Sequence, residues 1–245
     1  MAGHSHWAKI KRAKGSTDKK RATVWSKISR KIIIAAKNGG DPRDNLSLRY
    51  VIEEAKASNM PRDTIQNAIK KGTGELGGEN YVARSYEGYG PSGVAIMIDA
   101  LTNNPSRTAP DLRAIFERHA GNLATTGSVA FQFNKRGVIT IKADAVDEDR
   151  LMELALEAGA EDVTNLGGEA YEVLTSPTAF QKVRDAIAAA DVPVEGAEIA
   201  HLPTTTVAVD GHTAATVLKL IDALEDNDDV QTVAHNAELP EAAGV

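Results

Sequence analysis

The chain has no cysteine and little aromatic content: 4% of its 245 residues are Phe, Trp or Tyr. Without cysteine there are no disulfides, no thiolate-ligated zinc, no iron–sulfur clusters and no thiol nucleophile. With few aromatics and no RRM-type aromatic motif, base stacking is at most a minor contributor to any nucleic-acid contact. No apolar run approaches the roughly 20 residues that span a bilayer. The start, Met1-Ala2-Gly3-His4, leads into charge with no apolar signal core, which predicts a soluble cytoplasmic protein without membrane partners. G-x-x-x-x-G-K-[ST], G-x-S-x-G and H-E-x-x-H are all missing, and the glycines at 72, 74, 77 and 78 have no strand before them. No catalytic constellation stands out, so no enzyme activity and no cofactor are expected. His4 and His6 lack a third ligand, and no metal is expected.

What is present is a segregation of charge. The total is 28 basic against 34 acidic residues, a net charge of -6. Residues 1 to 37 hold eleven bases and one acid, Asp18, a balance of +10; the remainder carries 17 bases and 33 acids, a balance of -16. A basic arm joined to an acidic body is the footprint of a polyanion-binding element. Its candidate phosphate contacts are Lys9, Lys11, Arg12, Lys14, Lys19, Lys20 and Arg21, followed by Lys27, Arg30 and Lys31. The arm alone does not choose between DNA and RNA, since both present phosphates.

Periodicity divides the rest. Residues 1 to about 17 read as an extended arm. Trp25, Ile28, Ile32 and Ala36 form one apolar helical stripe with cations opposite. Asp41-Pro42 reads as the N-cap and first position of a second helix, and Pro61 opens a third that stops at Gly72. Beyond a glycine-rich linker the pattern alternates strands and helices, including expected strands at 81–87, 94–101 and 129–133. Residues 135–202 show a full β-α-β-β-α-β order. The leftover βαβ near the C-terminus needs a partner sheet. The expected class is therefore α+β: a three-helix domain (1–78), then two ferredoxin-like domains, 79–134 plus 203–238 with 135–202 inserted. A monomer is expected.

Several segments resemble the YebC/PmpR proteins, related to mitochondrial translational activators of cytochrome oxidase. They are Met1-Ala2-Gly3-His4-Ser5, Trp7, Asp18 with Lys20-Arg21, Gly40-Asp41-Pro42, Asn59-Met60-Pro61, Tyr86-Glu87-Gly88-Tyr89-Gly90-Pro91, Arg107-Thr108, Gly121-Asn122-Leu123 and Gly127-Ser128-Val129. The resemblance implies a three-domain fold and a DNA-binding transcriptional regulator. The alternative it implies is a ribosome-associated translation factor that relieves stalling, for example at proline-rich sequences, through rRNA or tRNA contacts. It adds Arg107 to the candidate contacts. His6 and Pro105-Ser106 depart from the family's more basic pattern and remove two expected phosphate contacts.

Overall fold

The structure, a computed structural model, describes residues 18–77 and 80–240. Helices α1 (Asp18–Ala36), α2 (Leu46–Ala57) and α3 (Arg62–Thr73) come first. They bury the expected stripe, with Ile28, Ile32, Ile33 and Ala36 meeting Leu48, Ala55, Ile65 and Ile69. Each fully buried aliphatic side chain contributes about 1.5–3 kcal/mol, so packing rather than propensity carries the bundle. Trp25 lies against this core and donates its indole N–H to the Ser58 carbonyl at 3.0 Å.

The cap of α2 falls four residues later than the sequence pattern suggests. Asp41 is occupied by Arg43, whose hydrogen bonds hold the Asp41 carboxyl down at about 2. Asn45 caps instead, accepting from the Leu48 N–H at 3.0 Å. Its amide also donates to the carbonyls of Ala35 (2.7 Å) and Gly39 (2.8 Å), so one buried side chain closes the end of α1 and the start of α2. Gly72 lets α3 lie flush on α1: a Cβ there would sit 2.5 Å from the Ile33 carbonyl oxygen.

The remaining elements are β1 (Val82–Tyr89), β2 (Ala95–Thr102), α4 (Pro105–Arg118), β3 (Asn122–Ala124), β4 (Phe133–Lys142), α5 (Glu148–Ala158), β5 (Asp162–Leu166), β6 (Ala170–Thr175), α6 (Phe180–Ala189), β7 (Val194–Pro203), β8 (Val207–Ala208), α7 (Gly211–Glu225), β9 (Val230–His235) and β10 (Ala237–Glu238). One sheet has the order β3-β1-β2-β9, so a strand from the C-terminal part of the chain completes a sheet begun near residue 82. The second has the order β5-β6-β4-β7 with every pairing antiparallel. This is the ferredoxin-like arrangement, with α5 and α6 over one face and Ile139, Ile141, Val173, Leu151, Val183 and Ile187 between. The fold is thus α+β, a helical region followed by antiparallel sheets. Compactness divides the described residues into 18–130 with 208–233, and 131–207 with 234–240.

The strand expected at 129–133 is replaced by a 3-10 turn, Ala130–Gln132, and β3 forms upstream of it. The cause is tertiary. The Glu87 carboxylate accepts the N–H groups of Gly127 (2.7 Å), Val129 (2.6 Å) and Ala130 (2.9 Å), leaving them unable to join a strand ladder.

Candidate nucleic-acid interface

Lys9, Lys11, Arg12 and Lys14 lie outside the described residues. Lys19 and Lys20 belong to the first turn of α1, and Arg21 is exposed on the next. Farther along, the cations of α1 have acceptors inside the protein. Lys27 Nζ donates to the Glu225 carbonyl at 2.6 Å. Arg30 donates to the Asp228 carbonyl and to Ser26 Oγ (3.2 Å), and lies 5.6 Å from the centroid of the Tyr81 ring. Lys31 pairs with Glu54 at 2.8 Å, and Lys37 donates to Asn80 Oδ1 and the Tyr81 carbonyl.

Arg30 and Arg107 converge on one acid. Arg107 Nη2 is 2.8 Å from Asp229 Oδ2, Thr108 Oγ1 donates to the same oxygen at 2.8 Å, and Arg30 Nη2 is 3.6 Å from Oδ1. The Asp229 side chain is 5% exposed, against 50% for Arg107. Burial pushes the Asp229 carboxyl up, but bonds from Arg107 and Thr108 and the charges of Arg107 and Arg30 outweigh it, leaving it below its usual range. The Asp229 carbonyl also accepts the Leu101 N–H at 2.8 Å. One residue thereby ties β2, α4 and α1 together just ahead of β9.

Glu87 organises a second node. Burial again favours the neutral acid, and the N–H groups of Gly127, Val129, Ala130 and Ser128 reverse this, holding the carboxyl below its usual range. Tyr89 Oη donates to the Ser128 carbonyl at 2.8 Å, fixing the same loop from the next outward residue of β1. Gly88 intervenes because Phe116 occupies the space a side chain would need, with its Cζ 2.5 Å from the position of a Cβ.

Neither Glu87 nor Asp229 stands out in the sequence as a structural centre. Asp228-Asp229 reads there as an adjacent acidic pair, and its partners lie 121 residues or more away. Glu87 lies within a motif segment, but nothing local reveals what it accepts.

The domain models whose patterns this chain matches are described as the N-terminal domain of the TACO1/YebC protein, over residues 5–75, and the TACO1/YebC second and third domain, over residues 81–237. The chain belongs to the TACO1/YebC family. A relative from Natranaerobius thermophilus is 48% identical over 99% of this chain and 98% of its own, and one from Treponema denticola is 50% identical over 98% of each. Both are named "Probable transcriptional regulatory protein", the name of a regulator and not of an enzyme. The crystal structure of a conserved hypothetical protein from Aquifex aeolicus superposes with a TM-score of 0.84 at 43% identity, covering 93% of this chain and 94% of that one. In this chain the family segments Arg107-Thr108, Tyr86 to Pro91 and Gly127-Ser128-Val129 build the two carboxylate nodes. Among the described residues, no helix is long and apolar enough to cross a membrane.

Proposed function

We propose that this chain is a nucleic-acid-binding regulator of gene expression that acts on DNA as a transcriptional regulator. The observation that supports the reading is the charge balance of +10 in the first 37 residues, on a body of opposite sign. Each phosphate neutralised by a base releases condensed counterion, so such an arm gains affinity on any nucleic acid. Lys9, Lys11, Arg12 and Lys14 with Lys19, Lys20 and Arg21 are the proposed primary contacts. Lys31 and the half-exposed Arg107 are secondary, because each already has an acidic partner. Lys27 and Arg30 contribute charge rather than free donors.

One observation favours a second reading, a translation factor that contacts rRNA or tRNA on the ribosome. Lys27 and Arg30 are bonded to Glu225, Asp228 and Asp229, so this stretch of α1 is not presented as a free helix for a major groove. An arm that holds phosphates without reading bases suits a ribosomal surface equally well.

Titrating the full chain against promoter-length duplex DNA and against purified ribosomes, across a series of salt concentrations, tests both readings. About six phosphate contacts give a slope near −5 in log K against log salt on duplex DNA. Sequence-preferring duplex binding, with altered transcript levels and no pausing in a deletion strain, supports the transcriptional role. Ribosome cosedimentation with codon-localised pausing replaces it with the second. Binding to neither overturns both.

A further inference from the structure

Three of the four phenylalanines, Phe116, Phe133 and Phe180, are buried, whereas Phe131 is 75% exposed. An exposed aromatic ring forgoes the burial that phenylalanine gains elsewhere in the chain. A mobile loop would make this unremarkable, but the backbone that follows Phe131 is held within its own compact unit. The Gln132 carbonyl accepts from Thr204 N–H (2.8 Å) and Thr204 Oγ1 (3.1 Å), and Gln132 Oε1 accepts from Asn236 Nδ2 (3.0 Å). The following Phe133 is buried, so the ring of Phe131 stands outward next to an anchored neighbour.

The surrounding charge indicates a partner. No acidic residue lies between Glu117 and Asp144 in sequence, and the stretch holds Arg118, Lys135, Arg136 and Lys142, of which Arg136 pairs with Glu161 at 3.2 Å and Lys142 with Glu195 at 3.6 Å. Asn134 and Lys135, on the first turnings of β4 after Phe131, are both exposed. An ordered aromatic face followed by polar and cationic side chains is the composition that takes an unpaired base and its phosphate: the ring stacks and the cation screens. A protein partner would call for a wider apolar surround, whereas the exposed residues that follow, Asn134 and Lys135, are polar.

We propose that Phe131 is a stacking platform for an unpaired nucleobase, with Lys135 as the neighbouring phosphate contact. The inference rests on the nucleic-acid reading above and gives it a site for single-stranded or flipped-out bases outside the arm. Since a phenyl face carries no donor or acceptor, it selects for an accessible base and not for its identity.

The test uses the full chain with short single-stranded RNA and DNA oligonucleotides of one sequence, each carrying 2-aminopurine, and a duplex of that sequence. Phe131→Ala and Phe131→Leu should weaken single-strand binding on the order of ten- to a hundredfold and remove the 2-aminopurine quenching. Phe131→Tyr should retain both. Duplex affinity should change little in all three variants, and thermal unfolding should match the parent because the ring is exposed. Equal loss on duplex and single strands, or Phe131→Leu behaving like the parent, would overturn the stacking role. Intact oligonucleotide binding with reduced ribosome cosedimentation would overturn it in favour of a protein contact. If the parent chain binds no nucleic acid at all, the functional reading itself fails; if the parent binds and Phe131→Ala binds identically, only this inference does.

Discussion

Arg107 Nη2 and Asp229 Oδ2 meet at 2.8 Å, joining the first turn of α4 to the residue before β9 across 122 positions of sequence. The pair has unequal surroundings, since the arginine is half in water and the aspartate nearly closed off. The energetic weight therefore lies on the acid. Removing Asp229 leaves Arg30, with a side chain 11% exposed, without a counter-charge, whereas removing Arg107 leaves Asp229 still bonded to Thr108 and near Arg30. Asp229→Ala should cost about 3 kcal/mol of unfolding free energy and Arg107→Ala about 1, measured by denaturant titration at neutral pH. The Asp229 carboxyl titrates below its unfolded value, so its contribution is present above about pH 4 and lost as pH falls through the folded pKa. Asp229→Asn should accordingly flatten the acid limb of the stability profile. A parent-like acid limb in that variant would show that the pair contributes nothing.

Glu87 gives a prediction with a local readout. Replacing the carboxylate by an amide turns one acceptor oxygen into an NH2 group facing backbone N–H donors. Glu87→Gln should destabilise by about 3 kcal/mol, because hydrogen bonds to a buried charge are lost and donors are left unsatisfied. Amide hydrogen exchange at Gly127, Val129 and Ala130 should accelerate well beyond the change at the core strand β2. Uniform acceleration across the sheet would mean that the loop has no separate anchor.

These two nodes show where sequence reading succeeds and where it stops. The apolar stripe of α1 and the β-α-β-β-α-β order follow from periodicity, because each depends on neighbours within a few residues. The strand expected at 129–133 fails because its N–H groups are taken by a carboxylate some 40 positions earlier. The helix start expected at Asp41 fails because Arg43 captures that side chain while Asn45 finds acceptors at Ala35 and Gly39. The cation run on α1 was legible as charge, but nothing near Lys27 or Arg30 announces partners 198 residues away. Pairings at that distance exist only once the chain has folded.

Glu172 behaves oppositely to Asp229. It lies on β6 in register with Thr140 of β4, is 2% exposed, and has no hydrogen-bond partner for its Oε2 among the described residues; the same holds for Thr140 Oγ1. Burial pushes its carboxyl up to about 7, and the Asp162 charge acts in the same direction. The folded state then holds a proton that the unfolded chain releases near pH 4.3, so stability falls as pH rises between those values and levels off above about 7. Glu172→Gln should abolish that slope and stabilise the protein at pH 8 by roughly 3–4 kcal/mol, while leaving it near parental stability at pH 4. Thermal unfolding at a series of pH values checks this, and an unaltered slope in the variant would place the titration elsewhere.

Close approaches at Gly88 exclude any side chain there. At Gly88 a Cβ would sit 2.5 Å from Phe116 Cζ, 2.6 Å from Cε1 and 2.8 Å from the Asn122 carbonyl oxygen. Phe116 is fully buried and cannot swing aside, and Asn122 is backbone of the neighbouring strand β3. Gly88→Ala should therefore destabilise by about 2–3 kcal/mol as an overpacked core. Phe116→Leu alone costs a cavity, yet it removes the ring atoms nearest Gly88. The double variant should be less destabilised than the two single losses added, by about 1 kcal/mol or more. The Asn122 oxygen prevents full recovery. Gly127 supplies the contrast: nothing lies within 4 Å of its Cβ position, but its φ of +90° leaves only the strain of a left-handed backbone. Gly127→Ala should cost about 1 kcal/mol and show no coupling to Phe116. Strict additivity in the Gly88 and Phe116 pair, read from denaturant midpoints at constant m, would show that the ring is not what excludes a side chain at position 88.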